Sequence, residues 1–118
     1  MSETFGAYLR KRREELLKQS PDYTVRKLAA KIGIQPSYVS KVERGEVPPP
    51  SEATIVRLAE ALHEDSDVLL ALAGKVSADL RQVILKRPKL FAELIRQLKD
   101  APDHALLRVV REVRDGTW

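Results

Sequence analysis

Along this chain, apolar positions recur three or four residues apart, in blocks separated by glycine, proline and small polar residues; no stretch alternates apolar and polar as a half-buried strand would. The pattern predicts helices throughout. Phe5 to Lys18 reads as the first, with Phe5, Leu9, Leu16 and Leu17 on one stripe beside Tyr8 and the stem of Arg13, and Ser20-Pro21-Asp22 breaks it. Thr24 is a good N-cap for VRKLAAKI, in which Val25, Leu28, Ala29 and Ile32 share one face. Gly33 stops that helix, because glycine enters the left-handed conformation without a Cβ penalty. Gln35-Pro36-Ser37 starts a third helix, with proline tolerated in the first turn, Val39 and Val42 pointing inward and Gly45 at its end.

The stiff connector EVPPP leads to Ser51, the expected cap of a fourth helix. Its core side is Ile55, Leu58, Ala59 and Leu62, and Glu52 and Glu60 keep its outer face acidic. A fifth, strongly apolar helix from about Asp65 to Ala73 ends at Gly74. Beyond it, SADLRQVILKR and PKLFAELIRQLKD are amphipathic segments parted by Pro88, and DHALLRVVREV follows the Ala101-Pro102 break. Leu80, Val83, Ile84, Leu90, Phe91, Leu94, Ile95, Leu98, Leu106, Leu107, Val109, Val110 and Val113 give this tail more apolar surface than a solvated tail needs. Three short helices bury such surface poorly by themselves. The expected organisation is therefore a domain over residues 1–74 and, over 75–118, a helical self-association module or a subdomain packed on the first. For a dimer, the expected contacts are Leu90, Phe91, Leu94, Ile95, Leu98, Leu106, Val109, Val110 and Val113.

Charge sharpens the picture. Residues 1–44 carry ten Lys/Arg against five Asp/Glu, residues 45–67 one against six, and residues 68–118 ten against six. A basic first third suits a polyanion, since phosphate contacts supply most non-specific nucleic-acid affinity; a solvated mixed surface is the plainer alternative. The absence of cysteine excludes disulfides and thiolate metal sites. No apolar run reaches the roughly 20 residues of a membrane span, and the first residues lack the apolar core of a signal peptide, so the expected location is cytoplasmic.

TVRKLAAKIGIQPSYVSKVERG is a helix-turn-helix by pattern: two short helices joined by a tight glycine turn. Ala29 is small where the second helix crosses, and Val39 sets the crossing angle against Leu28 and Ile32. The outer face is free for a major groove, which admits an α-helix. Ser37, Ser40, Lys41 and Arg44 form one stripe on that face. The serines can meet base edges or phosphates, Lys41 a guanine or a phosphate, and Arg44 sits towards the groove rim. Tyr38 either covers the turn or contacts DNA; Arg10, Lys11, Arg12 and Arg13 read as an ordinary solvated face, with phosphate contact by Arg10 or Lys11 as the alternative.

Thr24, Leu28, Ala29, Gly33, Ser37, Val39, Ser40, Glu43, Gly45, the Pro48-Pro49 pair, Leu58, Ala59 and Leu62 match in register across three helices and their connectors. On these residues the chain resembles the XRE family of lambda-repressor-like (Cro/C1-type) DNA-binding domains, over about residues 5–73. The resemblance implies an all-α, five-helix domain that binds double-stranded operator DNA as a homodimer and usually represses transcription. It implies phosphate contacts by Thr24 and the Val25 backbone, base reading by Ser37, Tyr38 and Lys41, and an apolar contact from Pro36; Gln35 joins the expected interface at the start of the third helix. It also implies an internal pair between Glu43 and Arg13, with Arg10 as second candidate. The chain departs from the family in the longer ELLKQSPDY link, by which the first helix gains a turn, and in Val25, where many relatives carry a phosphate-clamping glutamine.

The alternative reading is an antitoxin or adaptor whose C-terminal helices grip another protein, with DNA binding secondary. A mixed case adds a regulatory partner such as a metallopeptidase cutting near Lys86-Arg87-Pro88 or Asp100-Ala101-Pro102. HEDSD at 63–67 has metal-ligand residue types, but its place just after the fourth helix points to capping and solvation, and His104 reads as a surface residue. No HExxH, phosphate loop, GxSxG or paired-carboxylate arrangement occurs, so no enzyme activity, cofactor or metal is expected.

Overall fold

The computed structural model describes residues 4–116, and every regular element among them is helical. The chain divides into two compact units, one within residues 1–77 and one within 78–118. The first contains α1 (Phe5–Leu17), a 3₁₀ turn (Pro21–Tyr23), α2 (Val25–Ile32), α3 (Pro36–Glu43), α4 (Glu52–Ala61) and α5 (Ser66–Leu72). This is the all-α, five-helix lambda-repressor-like arrangement.

Short polar side chains start these helices. The Oγ1 of Thr4 accepts from the Ala7 N–H, that of Thr24 from Lys27 N–H at 3.2 Å, Ser51 Oγ from Thr54 N–H, and Asp65 Oδ1 from Asp67 N–H at 2.8 Å. Each satisfies a backbone donor that the first helical turn leaves unpaired. Asp65 of the HEDSD segment is thus the cap of α5. At the other end of α2, Gly33 takes φ +76°, and the Ile34 N–H donates to Ala29 O at 3.0 Å. The longer link after α1 is built as the 3₁₀ turn, capped by Ser20 Oγ on the Asp22 N–H, where the sequence shows only a break.

Leu9, Leu28, Ala29, Val39, Ile55, Leu58, Ala59, Leu62, Leu69 and Leu70 are essentially excluded from solvent and join all five helices in one core. Each buried leucine or isoleucine contributes roughly 1.5–3 kcal/mol. The proline connector is tied down as well: Pro50 is buried, and its carbonyl accepts from Lys75 Nζ at 2.8 Å.

The second unit contains α6 (Ala78–Lys86), α7 (Pro88–Leu98) and α8 (Asp103–Arg114), with α6 against α7. None of its described residues is buried. Phe91, Leu98, Leu106 and Val109 are half-covered, whereas Leu85, Leu90, Leu94, Ile95, Leu107, Val110 and Val113 are exposed. Among the described residues, no helix is long and apolar enough to cross a membrane.

Candidate nucleic-acid interface

α3 has two unlike sides. Val39, Val42 and Glu43 are buried, Tyr38 is half-buried at the edge of the core, and Ser40 is half-buried beside it. Pro36, Ser37, Lys41 and Arg44 are exposed, as is Gln35, which caps α3 by backbone alone. The side chains of Ser37 and Lys41 have no hydrogen-bond or ion-pair partner among the described residues. Arg44 does have one: its Nη2 donates to Glu46 Oε2 at 2.9 Å.

Beneath this face lies the pair of Arg13 and Glu43. Arg13 Nε donates to Glu43 Oε2 at 2.7 Å and Nη2 to Oε1 at 3.0 Å, a bidentate fork, while Nη1 reaches Tyr23 O at 3.2 Å. Both partners are over nine-tenths buried. The hydrogen bonds to Glu43 raise the Arg13 pKa above its ordinary value against the opposing effect of burial, so the guanidinium stays charged. One side chain of α1 thereby locks α3 and the 3₁₀ turn together. Arg10, the second candidate for that pair, instead bonds Glu14 at 2.7 Å on the exposed side of α1.

Arg10, Arg13, Val25, Ser40, Glu43 and Arg44 line a shallow hollow of about 230 Å³ where α1, α2 and α3 meet. The fold thus gathers Arg10, Val25, Ser40 and Arg44 at one place, while Ser37 and Lys41 stand exposed on α3 outside its lining. Thr24 is occupied in capping α2, whose N-terminus carries the positive end of the helix dipole. Guanidinium groups beside a helix N-terminus can receive an anion such as phosphate.

Two residues that shape the interface are absent from the sequence reading of it. Gly6 of α1 lies so close to the end of α3 that a Cβ there would stand 2.2 Å from Val42 O and 2.8 Å from Glu43 O. Its only sequence signal is a glycine inside a helical pattern. Arg57 of α4 donates to Ile32 O at 2.9 Å and to Thr54 Oγ1 at 3.3 Å, so α4 holds the last turn of α2. Arg12 and Arg13 do not lie on the solvated face expected of them: Arg13 is buried, and Arg12 donates to Leu62 O at 3.1 Å and pairs with Glu64, fastening α1 to the end of α4.

Comparison with known proteins adds to this geometry. Residues 4–73 match the family described as a helix-turn-helix domain. Over 74 residues the chain is 36% identical to a Bacillus subtilis (strain 168) protein described as the uncharacterized HTH-type transcriptional regulator RghRB, a match covering 63% of this chain and 50% of that protein. The chain therefore spans about half the length of the curated relative it matches. No solved structure matches it.

Proposed function

This chain belongs to the XRE-type helix-turn-helix family, and from that premise we propose that it is a sequence-specific DNA-binding transcriptional regulator, a repressor that occupies a near-palindromic operator as a homodimer. The observation that carries the proposal is the division of α3: its inner side is locked by Val39, Val42 and the Glu43–Arg13 fork, and its outer side offers Ser37 and Lys41 with no internal partner. Two such helices would enter successive major grooves about 34 Å apart. Ser37, Lys41 and Tyr38 would read bases, while Arg10, Arg44, Ser40 and the start of α2 would hold the phosphate backbone. Occupancy of the promoter then blocks transcription.

In a gel shift with DNA from upstream of the chain's own coding sequence, Lys41→Ala is expected to weaken binding and relax specificity at one base pair. A bidentate base contact contributes about 1–3 kcal/mol, so the affinity falls about tenfold. Unchanged affinity and specificity would remove Lys41 from the interface.

Dimerisation is assigned to the apolar faces of the second unit, and would make operator binding steep in protein concentration. Ile95 is 58% exposed in the single chain. Ile95→Glu is therefore harmless to a monomer but should break a dimer seated on α7. Light scattering of the full chain is expected to give a dimer for wild type and a monomer for the variant, with helicity retained. A wild-type chain that is monomeric would favour the second reading, in which these same exposed faces grip a different protein.

A further inference from the structure

Glu46 follows α3 by three residues, and the backbone returns it to the helix it has just left. Gly45 takes φ +73°, its N–H donates to Val42 O at 3.1 Å, and the Glu46 N–H donates to Lys41 O at 2.9 Å. These are the two bonds of a Schellman cap, and the left-handed residue they need is a glycine. The carboxylate is thereby delivered to the outer edge of α3, where it accepts from Arg44 Nη2 at 2.9 Å with both side chains 51% exposed. The hydrogen bond from Arg44 holds the Glu46 carboxyl below the usual range against the opposing effect of desolvation, and the charges of Arg44 and then Lys41 add to the lowering. The acid thus engages Arg44, one of the two cations that α3 presents outward.

We propose that Glu46 is a built-in substitute for a DNA phosphate: it occupies Arg44 in the free protein, must be exchanged for DNA before Arg44 can bind, and so limits the affinity of the interface. The proposal rests on the DNA-reading role of α3. Carboxylate and phosphate oxygens offer a guanidinium the same charged acceptors. An exposed ion pair is weak, so the exchange is easy, but the released carboxylate is left beside a polyanion that repels it. The complex then gains one cation fewer than the outer face of α3 carries, which makes its salt dependence shallower. Because the competition acts on Arg44 whatever sequence lies beneath, it lowers affinity for all DNA rather than selecting among sequences.

The test uses the full chain, fluorescence anisotropy and two duplexes, one selected by the wild-type chain from a random-sequence pool and one random, each titrated with salt. Glu46→Gln keeps the side-chain shape and leaves the backbone cap intact. It is expected to tighten binding to both duplexes about two- to fivefold and to steepen the salt slope by about one. In an Arg44→Gln background the same substitution should give no gain. Weaker binding by Glu46→Gln would mean that the carboxylate orients Arg44 for DNA, and overturns the proposal. So would an equal gain in both backgrounds, which would mean that Glu46 acts through its field alone. Wild-type binding with Glu46→Gln unchanged overturns the exchange and leaves DNA reading standing; a wild-type chain that binds neither duplex overturns both.

Discussion

Arg13→Ala is expected to destabilise the N-terminal domain by about 3–5 kcal/mol, because it leaves a buried carboxylate without its counter-charge. Arg13 and Glu43 are 7% and 8% exposed, so neither can turn to water for compensation. The guanidinium places three donors at once, two on Glu43 and one on Tyr23 O. Lysine keeps the charge but cannot form that fork, so Arg13→Lys should recover only part of the loss. A domain this small has a total stability of roughly 5–15 kcal/mol, and the alanine variant would stand close to unfolding. Urea denaturation followed by circular dichroism measures the difference directly. The double variant Arg13→Met/Glu43→Leu supplies the contrast: with both charges gone and the volume filled, it should be more stable than Arg13→Ala. If Arg13→Ala stays within about 1 kcal/mol of wild type, the pair is not the lock between α1 and α3.

How much of this was legible in the sequence depended on the range of the physics involved. The helices and the turn at Gly33 follow from the spacing of Leu28, Ala29, Ile32, Val39 and Val42 and from one residue that tolerates positive φ; all of these act within a few positions. The caps Thr24, Ser51 and Asp65 were equally local, because each meets a backbone N–H two or three residues on. The Arg13–Glu43 fork spans 30 residues and no periodicity points to it; only resemblance to a family singled it out. Ser20-Pro21-Asp22 read as a break, yet the 3₁₀ turn there brings the Tyr23 carbonyl under Arg13, a role set by tertiary placement alone. Arg57 looked like one cation on an acidic helix, since its acceptor at Ile32 lies 25 positions away. In the tail, the pattern of Leu90, Leu94, Ile95, Leu107 and Val110 revealed amphipathic helices; it carried no information about what covers them, because an apolar face is not selective in what it meets.

Gly6→Ala is expected to destabilise the protein by about 1–3 kcal/mol, the range for overfilling a packed site, although helix propensity alone predicts the opposite sign. Alanine is favoured over glycine inside a helix by about 1 kcal/mol, and Gly6 lies in the first turn of a 13-residue helix. The new methyl would stand 2.2 Å from Val42 O and 2.8 Å from Glu43 O. Both are backbone atoms, so no side chain can rotate away, and relief requires moving α1 off the end of α3. That end carries Glu43, whose fork with Arg13 tolerates little displacement at 2.7 Å, and it leads directly into the Gly45 turn that sets Glu46 beside Arg44. The damage should therefore reach DNA binding as well: the variant is expected to lose DNA affinity even at temperatures where it remains folded. Ala7→Gly, one position along and exposed, is the control, expected to lose only the propensity difference and to leave binding unchanged. Thermal melts of the two variants separate packing from propensity. A higher melting temperature for Gly6→Ala would show that α1 does not press on α3, and would sink the reading of Gly6 as the contact that lets the two helices meet.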